Sequence, residues 1–322
     1  MNTRSFLTTL GLAFGLGLAV NPSFAQNYPA RPVRMVVPLP AGTATDMAAR
    51  MLGQQLGAAL GQPFMIDNKP GANSVIGVMD VLRAPPDGYT LLLAAISPLA
   101  ANVALVKNMP YDPQRDLTPV GGFGQTMHAL VVKANHPART LAEIVAYAKK
   151  NPGKISVGSS TSSTQVQIAT FNKLTGLDML TIPYKGVPAT VTDLMGGSLD
   201  IAWVDLSNAI AQTKGGNLRA LAVTSAKRNP LVPDWPAVAE TVPDFDFTAW
   251  LAVVGPAGLP RDVADQLSAA IAQVLQQPKV KEQLASIGMT PMPLSPSQLK
   301  SFMASEISKW IVLAKQANVE PE

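Results

Sequence analysis

Short apolar runs alternate with longer amphipathic stretches along most of this chain, and that alternation restricts the fold more than any other feature. Val33–Val37, Thr90–Ala95, Ala129–Lys133, Ile155–Gly158, Leu199–Val204, Leu218–Thr224 and Thr248–Val254 read as buried strands. Between them, Met47, Met51, Leu52, Leu56, Ala59 and Leu60 recur at helical spacing, as do Leu141, Ile144, Val145 and Ala148. Strands apolar on both faces bury themselves in parallel sheets flanked by helices. The spacing therefore predicts an α/β fold built on mainly parallel sheets. Near the C-terminus, Pro260 suits the first turn of a helix carrying Val263, Leu267, Ile271 and Val274. Ser295, Pro296 and Gln298 form a capping-box start for a last helix, whose Leu299, Phe302, Met303, Ile307, Trp310 and Ile311 face a core. Pro85 to Gly88, Pro110 to Pro113 and Pro230 to Pro236 mark turns.

Residues 1–25 read as an address that is removed. Arg4 supplies the positive start, Phe6 to Val20 the apolar run, and Ser23-Phe24-Ala25 the small residues a signal peptidase needs. The run is short and glycine-rich for a membrane span, so export is favoured over a retained anchor. About 300 residues remain, enough for two domains. The chain has no cysteine, which excludes disulfides, thiolate metal sites and cysteine nucleophiles. A net charge of +4 without a dense Lys/Arg cluster gives no basis for nucleic-acid binding.

Two strand-to-helix junctions carry the chemistry. The first strand runs into Pro38-Leu39-Pro40-Ala41-Gly42-Thr43-Ala44-Thr45-Asp46, where Thr43 and Asp46 are spaced to cap the helix that follows. The first N–H groups of a helix lack partners inside it, and with the helix dipole they favour an anion. Gly42 lets the main chain come close to a bound group. The second junction, Gly158-Ser159-Ser160-Thr161-Ser162-Ser163-Thr164, places six consecutive hydroxyls before a helix containing Val166, Ala169 and Phe171. Either junction alone is equally an ordinary capped or solvated loop. Together, both at carboxyl ends of strands where α/β proteins bind ligands, they read as a site.

Groups for catalysis are scarce. The two histidines, His128 and His136, belong to no metal-binding spacing. The serine run lacks the Gly-x-Ser-x-Gly elbow, and Gly121-Gly122-Phe123-Gly124 lacks the Lys-Ser/Thr of a phosphate loop. The chain therefore reads as a binding protein needing no cofactor, with a secreted serine hydrolase using Ser159–Ser163 as the contrasting alternative.

Val37-Pro38-Leu39-Pro40-Ala41-Gly42-x-x-x-Asp46 resembles the opening loop of Bug-type receptors, the solute-binding proteins of tripartite tricarboxylate transporters. The resemblance continues through Asn68-Lys69-Pro70-Gly71-Ala72, Pro86-Asp87-Gly88-Tyr89-Thr90-Leu91-Leu92 and Pro110-Tyr111-Asp112-Pro113. It extends to Pro183-Tyr184-Lys185-Gly186, Asp193-Leu194-Met195-Gly196-Gly197 and Leu218-Arg219-Ala220-Leu221-Ala222-Val223-Thr224. It implies a monomeric, periplasmic, two-lobed "Venus flytrap" that delivers a di- or tricarboxylate, amino acid or aromatic acid to membrane permease subunits. Residues 26–127 with 250–322 would form one lobe and 128–249 the other, with crossings near His128–Val132 and Phe247–Leu251. The ligand would meet Leu39, Pro40, Ala41, Gly42, Thr43 and Thr45 from the first lobe. Ser159, Ser160, Thr161, Ser162, Ser163 and Thr164 would face it from the second.

Further candidates are Ser97 after the strand Thr90–Ala95, Tyr184, Trp203 for stacking on an aromatic ligand, and Asp205 for an amine or hydroxyl. Each also has a bland role: capping for Ser97 and Asp205, packing for Tyr184 and Trp203. The family often has a second glycine where Thr43 stands, and glycines where the middle loop is Ser and Thr throughout. A sensory receptor docking on a kinase fits the same residues as a transport receptor.

Overall fold

The computed structural model describes residues 28–184 and 186–321, so the address read in residues 1–25 lies outside the described residues. Along the chain come β1 (Val33–Val37), α1 (Ala44–Leu60), β2 (Phe64–Asn68), α2 (Val75–Leu82), β3 (Thr90–Ala95), α3 (Asn102–Leu105), α4 (Pro113–Asp116) and β4 (Leu117–Thr126). Then follow β5 (His128–Lys133), α5 (Leu141–Lys150), β6 (Ser156–Ser159), α6 (Ser162–Thr175), β7 (Leu180–Pro183), α7 (Val187–Gly196), β8 (Ile201–Asp205), α8 (Leu206–Lys214) and β9 (Leu218–Val223). The chain closes with β10 (Ala249–Pro256), α9 (Arg261–Gln276), α10 (Pro278–Ser286), β11 (Thr290–Pro291) and α11 (Pro296–Gln316). Among the described residues no helix is long and apolar enough to cross a membrane.

The strands form two sheets, ordered β11-β4-β10-β3-β1-β2 and β7-β6-β8-β5-β9. Both are mixed, which corrects the expectation of mainly parallel sheets. The pairs β1–β2, β1–β3, β6–β7 and β6–β8 are parallel. The pairs made by β10 and by β5 are antiparallel. These are the strands by which the chain enters each sheet after leaving the other. A strand that begins where its neighbours end must run against them.

Apolar faces of the helices close over the sheets. Ala48, Ala49, Leu52 and Leu56 of α1 are fully buried with Val33, Met35 and Val37 of β1. The glycine-rich stretch 121–124 lies inside β4, where a Cβ on Gly122 would stand 2.5 Å from the Met292 carbonyl oxygen, closer than packed atoms approach; a side chain is excluded there because the segment before α11 lies against the strand. One apolar cluster joins the two sheets through Phe171, Trp203, Phe245, Phe247 and Trp310, each in ring contact with the next or with its neighbour at centroid separations of 4.9–5.9 Å.

Candidate functional site

Both crossings between the sheets lie at one end of the parallel strands. The last residue of β4, Thr126, pairs with the first of β10, Ala249, and Ala95 at the end of β3 pairs with Leu251. In the second sheet His128, the first residue of β5, pairs with Asp205 at the end of β8. The carboxyl ends of β1, β3, β6 and β8 therefore all face the seam between the lobes, and the loops that follow them open there.

The first of these loops is held from within. Thr43 is the N-cap of α1: its Oγ1 accepts the Asp46 N–H at 3.3 Å and donates to the Pro40 carbonyl at 2.9 Å. Asp46 returns the bond, its Oδ2 accepting the Gly42 N–H at 2.9 Å and the Arg50 Nε–H at 3.0 Å. Asn68 Nδ2 donates to Asp46 Oδ1 and to the Leu39 carbonyl, both at 3.0 Å. Burial alone would raise the Asp46 pKa, but the hydrogen bonds from Arg50, Gly42 and Asn68 outweigh it and hold the carboxyl below its ordinary range. Gly42, expected to admit a close approach, has φ +83°, and a Cβ built there meets nothing within 4 Å. Thr45 is buried, while Ala41 is exposed. Helical geometry leaves the Ala44 and Thr45 N–H groups without an intrahelical acceptor.

Beside this loop stands a feature no sequence pattern announced. Ala72, Asn73 and Ser74 follow one another with φ of 44°, 50° and 75°, a left-handed turn made without glycine. Such residues cost about 1–2 kcal/mol each and persist where their surroundings fix them. Here Ser74 Oγ donates to the Pro38 carbonyl at 3.1 Å and Asn102 Nδ2 to the Asn73 carbonyl at 2.8 Å. Gly77 follows so closely that a Cβ would sit 2.7 Å from Pro38 Cβ. The turn braces the first loop from behind.

The second loop has its own internal hub. Thr164, fully buried, accepts the N–H groups of Ser160 at 3.1 Å and Thr161 at 3.0 Å, and its hydroxyl donates to the Thr161 carbonyl at 2.8 Å. Thr161 caps α6 in return, accepting the Thr164 N–H at 3.2 Å. Ser159 Oγ lies 3.0 Å from Thr164 Oγ1, and Ser163 Oγ 3.0 Å from Thr161 Oγ1. Much of the hydroxyl run is thus spent on shaping the loop. Ser162 and Ser163, the first two residues of α6, have N–H groups for which the helix itself offers no acceptor. Both loops repeat one plan: a Thr cap serves the third amide and leaves two before it.

The remaining candidates separate. Ser97, half-buried, opens a wide turn, Ser97–Ala101, one residue after β3. Tyr184 OH donates to Asp193 Oδ2 at 2.8 Å, and burial together with that carboxylate raises its pKa. Trp203 is fully buried, stacked on Phe245 at 5.7 Å and edge-on to Phe171 at 5.7 Å, so its ring is core and not a platform for a ligand. Asp205 is the N-cap of α8, accepting the Asn208 N–H at 3.0 Å and Asn208 Nδ2 at 2.8 Å, which gives it the capping role. His128, set aside for want of a metal spacing, stands at the crossing with Nδ1 3.2 Å from Gln167 Nε2. Among the described residues no group of His, Asp and Glu is arranged to hold a metal.

A family model described as "Tripartite tricarboxylate transporter family receptor" matches residues 48–319. The chain belongs to this receptor family. Protein BugT of Bordetella pertussis is 34% identical over 324 residues, covering 99% of each chain. Among solved structures, the Rhodopseudomonas palustris protein Rpa4515 with adipate superposes with a TM-score of 0.85 at 32% identity, covering 92% of this chain and 100% of that one. MatC from the same organism, with bound malate, gives 0.79 at 29% identity, covering 89% and 99%. The receptor is accordingly an α/β, two-lobed periplasmic binding protein, and its family is one of solute-binding receptors.

Proposed function

We propose that this receptor captures a small organic carboxylate in the seam between its lobes and delivers it to the membrane subunits of a tripartite transporter. The observation that carries this reading is the common geometry of the two loops. Each leaves a parallel strand at the seam, and each ends in a helix start with two N–H groups unserved by the helix. Main-chain donors and hydroxyls hold a carboxylate without a buried lysine or arginine, whose desolvation would offset part of the gain. Adipate and malate in the solved relatives support the ligand class. On this reading residues 26–127 with 250–322 form one lobe and 128–249 the other, and Leu39–Thr45 and Ser159–Thr164 supply the shell. Closure brings the second loop onto an acid already resting on the first.

Thermal unfolding of the mature receptor against a panel of organic acids tests the proposal. An acid present at a hundred times its dissociation constant adds about 2.7 kcal/mol of stability, a clear rise in Tm. A panel of mono-, di- and tricarboxylates that leaves Tm unmoved would overturn it.

A further inference from the structure

Ser163, Gln167 and Thr170 lie at i, i+4 and i+7 of α6 and so share one face of it. All three are buried, at 5%, 3% and 7% exposure, on a helix whose neighbouring buried positions, Val166, Ile168 and Phe171, are apolar. Gln167 belongs to the seam because it reaches His128, the residue with which the chain enters the second sheet. Its Nε2 donates to His128 Nδ1, which requires a neutral ring accepting at that nitrogen. Burial holds the imidazole in that form against the opposing pull of the Asp205 carboxylate. The amide is thereby pinned, and its Oε1, buried, has no partner; neither has Thr170 Oγ1 one turn further on. Natural proteins rarely leave such acceptors bare, and an explanation is owed for each.

We propose that Gln167 is a specificity-determining residue, selecting an acid that carries a second, uncharged hydrogen-bond donor. Four residues of helix place its side chain about 6 Å beyond the amides at the start of α6, the length of a five-carbon acid. The inference rests on the carboxylate reading above, with the acid's head at the hydroxyl loop and its tail along the polar face. Gln167 Oε1 accepts from the tail, and Thr170 is placed to donate to it. A second carboxylate is disfavoured there. It would be buried among an amide, hydroxyls and a neutral imidazole, with the Asp205 carboxylate opposite His128.

Glutarate, its mono-amide glutaramate, and pentanoate share a carboxylate and a five-carbon chain and differ at the far end. Titration calorimetry of the mature receptor is expected to show glutaramate binding about tenfold more tightly than either of the others. Gln167→Leu is expected to remove that preference and leave pentanoate within about twofold. Glutarate binding as well as glutaramate in the unaltered receptor overturns the inference without any variant. Equal losses for all three acids in Gln167→Leu overturn it as well, while leaving the carboxylate reading intact. Binding of no acid at all overturns both.

Discussion

Asp46 shows how much one side chain arranges. It occupies the place where a helix start attracts an anion, yet its carboxylate points back to the Gly42 amide and so shapes the loop ahead of it. Asp46→Asn keeps the volume and removes the charge-assisted bonds, at an expected cost of about 1–3 kcal/mol at neutral pH. The sign of the pH dependence follows from its lowered pKa. The contribution is complete above the ordinary carboxylate range, about 4, and is lost as pH falls through the lower folded value. Urea midpoints of wild type and Asp46→Asn should therefore converge as pH is taken from 7 to 3; a gap that stays constant would contradict this. Thr164 plays the matching part in the second loop. Thr164→Val is nearly isosteric but strands the Ser160 and Thr161 N–H groups, and about 2 kcal/mol of stability and most acid binding should go with it. Thr164→Ser should restore both, as read by calorimetry. The Thr43 cap was legible in the sequence because capping is local, settled within three or four residues; the hub at Thr164 was not, because its loop read as a run of free hydroxyls. Nor was the pairing of His128 with Gln167, since it joins positions far apart in the chain; Trp203 was open to two readings, packing or stacking on a ligand, and its ring contacts with Phe171 and Phe245 decide for packing.

At the scale of elements, the strand runs and the helices α1, α5, α9 and α11 stand close to where periodicity puts them. Strand direction did not follow from pattern. An apolar run reads alike in either sense, and β5 and β10 are reversed only because the chain changes sheets before each of them. The left-handed turn at Ala72–Ser74 was equally silent, since none of the three residues is a glycine. It packs against Pro38, and two substitutions separate strain from contact. Ala72→Gly relieves a left-handed residue and should leave stability unchanged or raise it by up to about 1 kcal/mol. Gly77→Ala forces a Cβ against Pro38 and the Lys69 carbonyl and should cost about 1–3 kcal/mol while displacing the first loop. Thermal unfolding with an acid titration on each variant checks both; a harmless Gly77→Ala would show that the brace is not tight.

The whole molecule turns on what happens beside the crossings. On one side the rings from Phe171 to Trp310 pass without a break from the second sheet to α11, so the closure proposed above would keep that packing and bend elsewhere. Gly288 marks where. It lies between α10 and β11, on the body of the first sheet, and its carbonyl accepts the Thr126 hydroxyl at 2.8 Å just before the chain crosses. A Cβ at Gly288 would stand 2.7 Å from the Ser207 backbone nitrogen at the start of α8, on the other lobe, and its φ of +71° already favours glycine. Gly288→Ala therefore adds strain and a wedge together. The strain should appear as a loss of about 1–3 kcal/mol in the free protein. The wedge should appear as weaker binding of whichever acid the thermal panel selects, although Gly288 belongs to neither binding loop. Small-angle scattering separates the two effects: wild type should contract when the acid is added, and the variant should contract less at saturation. Equal contraction would place the pivot away from Gly288 and leave only the local strain.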